Sequence, residues 1–227
     1  MPEPIHEPHR PLLEVPDSII QSLDTYAPQA DEQVIYRDEA VDHSQLYTRT
    51  DILPVIGQVN FAIEFQHYFN QGEYDVDKVT FRYDNDDGLV GEMRFLLLPD
   101  GRYALSHRHV VEKYREKGVG ERLLKQAEHT LQSLADRRKQ PIHILIRLGQ
   151  RGVLQWFKKR GYVPSAGYED MVEAVVHHPE RFVFDDIADK PSDDPIKRHE
   201  GIFLPSTVGR KIKDTVRINL EKTLTPQ

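Results

Sequence analysis

Residues Tyr114–Leu124 read YREKGVGERLL, with Gly118 and Gly120 placed directly before a leucine-rich segment. Glycine weakens a helix interior, so two of them at the point where a helix is about to begin need a reason. Two reasons are open. The glycines end a strand in a tight turn, or they leave main-chain N–H groups bare for something negatively charged. The first N–H groups of a helix lack intrahelical acceptors, and the helix dipole adds partial positive charge there. A glycine-lined strand-to-helix turn is therefore a natural anion cradle. Arg115 and Lys117 line this one, and Arg108, Lys113, Arg122 and Lys125 lie close in sequence. That is a local basic cluster in a chain whose net charge is −7.

The pattern on either side of the loop sets its context. Downstream, a helix is predicted over about 118–137, with Val119, Leu123, Leu124, Ala127, Leu131 and Leu134 on its buried stripe. Upstream, KVTFRYDNDDGLVGEMRFLLLPDGRYALSHRHVV (78–111) reads as three strands. Asn85-Asp86-Asp87-Gly88 and Pro99-Asp100-Gly101 supply two tight turns, so the strands should form an antiparallel meander. PIHILIRLG (141–149) is a compact apolar strand, QRGVLQWFKKRG (150–161) a short helix stopped by Gly161, and GYVPSA the start of another strand. Strands, helix, strand, helix and strand in this order predict one mixed α/β sheet.

The flanking regions are less regular. Pro2, Pro4, Pro8, Pro11 and Pro16 mark residues 1–30 as a Pro-rich segment, with one helix in LLEVPDSIIQSLDTYA capped by Asp17 or Ser18. QVIYRD and SQLYTRT read as short strands. Residues 53–70 are expected to be helical, because Val55, Ile56, Val59, Ala62 and Ile63 fall at three-to-four spacing. In the extension 167–227, EDMVEAVVHHPERF reads as a short helix, DDIADKPSDDP as an acidic loop, GIFLP as a strand and TVGRKIKDTVRINLEKTL as an amphipathic helix. This extension is expected to pack on the core and complete the sheet, and a role in specificity or in a homodimer stays open beside that.

Composition narrows the function. The chain has 227 residues and no cysteine, which rules out disulfides, zinc–thiolate centres and cysteine nucleophiles and fits a cytoplasmic setting. A net charge of −7 argues against general nucleic-acid binding. No apolar run is long enough for a membrane helix, and MPEPIHEPHRP lacks the apolar core of a secretory signal. There is neither a GxxxxGK[ST] phosphate loop nor a GxGxxG after an early strand.

Two spaced signatures remain. Arg115-Glu116-Lys117-Gly118-Val119-Gly120 follows Val110 by five residues and Tyr114 directly, and Phe157-Lys158-Lys159-Arg160-Gly161-Tyr162 closes the short helix. Together, over about 78–166, they resemble the GNAT acyltransferase superfamily, whose signatures are [Q/R]-x-x-G-x-[G/A] and a helix ending in Y-x-x-x-G-F. The resemblance implies a GNAT-like, mainly antiparallel mixed sheet flanked by helices, with residues 31–166 as the acyltransferase domain. It also implies acetyl-CoA as co-substrate, with no metal. The amides of Glu116, Lys117, Gly118, Val119, Gly120 and Glu121, with Arg115 ahead of them, would hold the pyrophosphate. Backbone groups of Arg108, His109 and Val110 would meet the pantetheine arm in a gap between two splayed parallel strands. Gln150 stands where relatives often carry Asn.

An amine would then attack the thioester directly, and a proton acceptor is needed. Glu92 in GLVGEMRF is the candidate, against the plainer reading of a surface glutamate. His107, His109 and His143 are read as structural or surface residues. Phe157 replaces the tyrosine that commonly protonates the leaving thiolate, leaving Tyr162 or water. The acceptor is a small-molecule or protein amine. The alternative is a catalytically inactive GNAT-like module that binds CoA or regulates.

Overall fold

The computed structural model describes residues 11–25, 42–68, 76–98, 100–148, 151–177, 183–184, 215–216 and 218–227. Five strands run as an antiparallel meander: β1 (Asp42–Leu53), β2 (Gly57–Tyr68), β3 (Val76–Asn85), β4 (Gly88–Leu97) and β5 (Tyr103–Val110). After a short 3-10 turn at Glu112–Tyr114 come α2 (Val119–Arg138), β6 (Ile142–Leu148), α3 (Arg151–Lys158), β7 (Val163–Pro164) and α4 (Glu169–His177). Helix α1 (Asp17–Thr25) precedes β1, and β10 (Ile218–Leu224) follows the two-residue strands β8 (Val183–Phe184) and β9 (Thr215–Val216). The main sheet has eight strands in the order β1-β2-β3-β4-β5-β6-β10-β7. It is mixed and mainly antiparallel, because within it only β5 and β6 pair in parallel.

One sheet face carries the core. Val59, Phe61, Ile63 and Phe65 of β2, Val79, Phe81 and Tyr83 of β3, and Met93, Phe95 and Leu97 of β4 join Leu123, Leu124, Ala127, Leu131 and Leu134 of α2 in one apolar cluster. Alternation along each strand sends the intervening residues to the other face. Burial on that scale, at roughly 25 cal/mol per Å² of apolar surface, is what holds α2 against the sheet. Residues 11–16 lie across α2: the buried Gln126 accepts from the N–H of Leu13 at 2.9 Å and donates to its carbonyl at 2.8 Å. Arg122 donates to the Pro11 carbonyl at 2.6 Å.

Three expectations are corrected. Residues 53–70 do not form a helix; the described part is the β1–β2 hairpin, closed by a turn with φ of 67° at Val55 and 94° at Gly57. The period-two series Val59, Phe61, Ile63, Phe65 is all core, whereas the three-to-four spacing arose because Ala62 is buried on the opposite face. The amphipathic helix expected over 207–224 is likewise a strand where it is described. Ile218, Leu220 and Leu224 are buried at alternating positions, and β10 pairs with β6 along all seven residues and with β7 at Leu220 and Glu221. Helix α1 begins at Asp17, so the first carbonyl to accept within it is Pro16's rather than that of Asp17 or Ser18. The readings of QVIYRD, DDIADKPSDDP and GIFLP lie outside the described residues. Among the described residues no helix is long and apolar enough to cross a membrane.

Candidate functional site: an uncapped helix start beside an opening strand pair

Strand β5 carries the chain to the loop. It meets β6 only at Tyr103↔Ile144, Ala104↔Leu145 and Leu105↔Ile146. Both strands continue past that point, β5 to Val110 and β6 to Leu148, without pairing. The two strands therefore form a fork, closed at Leu105 and open toward the loop. An irregularity in register lies at the same point. Arg94 of β4 opposes His107 and Phe95 opposes Leu105, so Ser106 is an extra residue that bulges from β5. Its hydroxyl donates to the Arg94 carbonyl at 3.1 Å.

The loop is held by contacts that lie ahead of the first turn of α2. Tyr114 is buried, and its hydroxyl accepts from Nδ2 of Asn85 at 2.7 Å. The Val111 N–H donates to the Val90 carbonyl at 3.1 Å, and Arg115 Nε reaches back to the Val110 carbonyl at 3.2 Å. Glu116 and Gly118 adopt left-handed conformations, with φ of 63° and 76°. Gly118 is the N-cap of α2, and no side chain caps the helix. The first intrahelical bond runs from the Arg122 N–H to the Gly118 carbonyl at 2.9 Å, so the N–H groups of Val119, Gly120 and Glu121 precede the ladder. A Cβ on Gly120 would lie 3.7 Å from Val110, an ordinary contact, so the protein itself does not demand glycine there. The demand fits a ligand that approaches the bare backbone.

Most of the residues singled out by sequence come together. Arg115, Glu116, Lys117, Gly118, Val119, Gly120 and Glu121 form the loop and first turn, with Val110 beneath Gly120. Lys117 Nζ lies 5.7 Å from the Tyr114 ring centre. Glu121 pairs with Lys125 at 3.0 Å and with Arg160 at 2.8 Å; the Lys125 hydrogen bond, then that of Arg160, hold its carboxyl below the usual range. Arg108, in the open part of the fork, sets its guanidinium 5.2 Å from the Trp156 ring centre and 5.8 Å from that of Phe157. Gln150 lies outside the described residues.

Glu92 and His109 oppose each other across β4 and β5, on the sheet face away from α2. Glu92 is buried and accepts from Arg94, and His107 Nε2 stands 3.3 Å from its Oε1. Burial alone would raise the Glu92 carboxyl, but hydrogen bonds from His107 and Arg94 and their charges outweigh it and hold the group at about 2. Its folded value is thus depressed below the ordinary 4.5. Such a group stabilises the fold above the unfolded value, and that contribution is lost as pH falls through the folded one. Acid unfolding followed by circular dichroism between pH 4.5 and 2 should accordingly be less steep in Glu92→Gln than in the wild type.

Three features escaped sequence reading. Gly91 lies where β4 passes under the first turn of α2: a Cβ there would sit 3.0 Å from the His109 carbonyl oxygen and 3.1 Å from Val119 Cγ1. An isolated glycine within a strand was the available signal. Trp156 is flanked by two guanidiniums, Arg160 at 3.9 Å and Arg108 at 5.2 Å from its ring centre. Tyr162, offered as an acid, donates its hydroxyl to Glu128 of α2 at 2.9 Å; burial and the Glu128 charge push the phenol upward. Phe157 is fully buried against Trp156 and Tyr162.

Fold and site define an α/β protein in which a long central helix starts without a side-chain cap beside two parallel strands that part. A family model described as "Acetyltransferase (GNAT) family" matches residues 43–162, and the chain belongs to that family. Among solved structures, a candidate acyl-CoA N-acyltransferase from Klebsiella pneumoniae subsp. pneumoniae MGH 78578 is similar at 15% identity and TM-score 0.35, over 65% of this chain and 72% of its own. A candidate streptothricin acetyltransferase from Bacillus anthracis str. Ames, in complex with acetyl coenzyme A, is similar at 13% identity and TM-score 0.35, over 84% and 91%. No curated protein matches the sequence.

Proposed function

We propose that this GNAT-family protein transfers an acetyl group from acetyl-CoA to an amine by direct attack. The observation that carries the reading is the uncapped first turn of α2 standing beside the open end of the β5–β6 fork. The amides of Glu116 to Glu121 would hold the pyrophosphate, helped by the charge of Arg115 and Lys117. The edge of β5 facing β6 at Arg108, His109 and Val110 would offer backbone groups to the pantetheine arm, and Gln150 would complete that contact. The Arg108 guanidinium beside Trp156 adds a cation at the same opening.

Acetyl-CoA supplies an acyl group already activated as a thioester. A strand N–H at the closed end of the fork would polarise its carbonyl as an oxyanion donor. Direct attack by the amine needs no nucleophile from the protein, so the absence of cysteine is no obstacle to it. An alkyl ammonium, with an ordinary pKa near ~10.4, must first shed a proton. The acceptor class, small molecule or protein, is left to experiment.

Calorimetry with CoA, followed by thiol release from acetyl-CoA against a polyamine, an aminoglycoside, an amino-acid amide and a lysine peptide, tests the reading. Saturable binding with turnover on one of them is the expected result. Binding with no turnover would favour a non-catalytic CoA-binding module, and no CoA binding would overturn the site.

A further inference from the structure

We propose that His107 is the residue that takes the proton from the attacking amine, and that Glu92 is its positioning residue. This rests on the reading of the fork as the place where the thioester ends. His107 is the second residue past Leu105, the last position at which β5 and β6 pair. The Ser106 bulge sets its side chain on the face away from α2, opposite Arg94 and in the same row as Thr80. The closed end of the fork is where an arm threaded between the strands must stop, so His107 stands at the mouth from which an amine can reach it.

The imidazole is accessible but oriented. Its side chain is 41% exposed, whereas that of Glu92 is 8% exposed. Nε2 faces Glu92 Oε1 at 3.3 Å, which places the ring proton on Nε2 and leaves the lone pair on Nδ1. Arg94 in turn fixes the Glu92 carboxylate. A carboxylate that orients an imidazole by its second nitrogen is a recurrent way to make a competent base. Glu92 itself is ill suited to the task, because a buried carboxylate held as an anion by the Arg94 guanidinium and by the N–H of His107 has little tendency to accept a proton.

The proton balance closes without another reagent. The ammonium first loses one proton to water. As the N–C bond forms and the C–S bond breaks, the second proton moves from nitrogen to Nδ1 of His107. The resulting imidazolium then returns it to the thiolate, which suits a site where Phe157 has no hydroxyl and Tyr162 is committed to Glu128.

Several charges face this imidazole. Glu92 and Arg94 come from β4, and His109 from β5 itself, its ring centre 6.1 Å away. Arg82, held by Asp84 and Glu64, follows in the next row from β3. Arg147 lies on the same face of β6, across the fork.

The test uses the full chain and compares wild type, His107→Gln, Glu92→Gln and His143→Gln. His143 is exposed, bonded to Thr223 at 3.0 Å, and serves as the control for loss of a histidine. Imidazole nitrogen NMR of the ligand-free protein should show the ring whose signal is missing in His107→Gln held in the Nε2–H tautomer in wild type and in mixed tautomers in Glu92→Gln. With the amine that turns over, His107→Gln should lower kcat about 100-fold with little change in KM for acetyl-CoA, and its acid limb in the pH profile should vanish. His143→Gln should behave as wild type. If His107→Gln keeps its rate and acid limb while wild type turns over, the proposal fails and the transferase reading stands. An unchanged His107 tautomer in Glu92→Gln overturns the positioning role. Wild type that binds CoA yet acetylates none of the four amines removes the transferase reading and this proposal with it.

Discussion

Gly120→Glu will abolish CoA binding while leaving the protein folded. The Cβ would lie at ordinary distance from Val110, so the fold accepts a side chain at this position. A carboxylate there would stand over the bare amides of Val119 and Glu121, fill the space that a diphosphate needs and repel it. A ligand at a hundred times its Kd stabilises the native state by about 2.7 kcal/mol, so the CoA-induced rise in Tm should disappear. We expect the Kd to weaken more than about 100-fold by calorimetry, since that corresponds to roughly 2.7 kcal/mol, in the range for one lost charge-assisted contact plus repulsion. Gly120→Ala is the companion: it should fold at least as well, because alanine suits a helix better than glycine by roughly 0.5–1 kcal/mol. CoA affinity equal to wild type in Gly120→Glu would show that the first turn of α2 is not the anion site.

Gly91→Val will cost the fold itself. At this point β4, β5 and α2 converge, and the backbone oxygen of His109 lies 3.0 Å from where a Cβ would be. A backbone oxygen cannot swing aside as a lysine tip would. Val119 Cγ1 at 3.1 Å and Leu123 Cδ1 at 3.4 Å close the other sides. Three more carbons in that space are overpacking, costing about 3 kcal/mol. In a chain of this size that lowers Tm by roughly 6–12 °C in a thermal melt. Because the same contact seats the first turn of α2, CoA binding should weaken with it. A Tm within about 2 °C of wild type would mean that the helix start can shift freely.

The contrast between these two glycines shows what the sequence made legible. Gly120 sits in a local signature, where loop, helix start and flanking charge lie within a dozen residues, and short-range rules suffice to read it. The meander, α2 and β6 were readable for the same reason, because each element is bounded by its own turn residues; the parting of β5 and β6 was expected only from the family resemblance. Gly91 matters through His109 and Val119, neighbours that only the folded chain brings near. The β1–β2 hairpin was misread because apolar residues fall on both faces of β2, so Ala62 completes a false helical spacing beside the true alternation of Val59, Phe61, Ile63 and Phe65. Strand β10 was misread because its partners, β6 and β7, lie more than fifty residues upstream at their nearest approach. Glu92 was singled out, but its hold on His107 depends on a one-residue bulge at Ser106, and no residue type announces a bulge of that kind. The fixed carboxylate is the reason that proton transfer moves, in our reading, from Glu92 to its neighbour.

The insertion of β10 between β6 and β7 carries a consequence for how the molecule is made. During translation β6 and β7 emerge well before β10, so β6 has one edge unsatisfied until the chain has been synthesised almost to residue 224. A nascent polypeptide released before residue 218 would keep that apolar ribbon of Ile142, Ile144, Ile146 and Leu148 beside an open edge, a template for mispairing with another copy. Nicks or truncations ahead of Ile218 should therefore show themselves in solubility before they show themselves in chemistry.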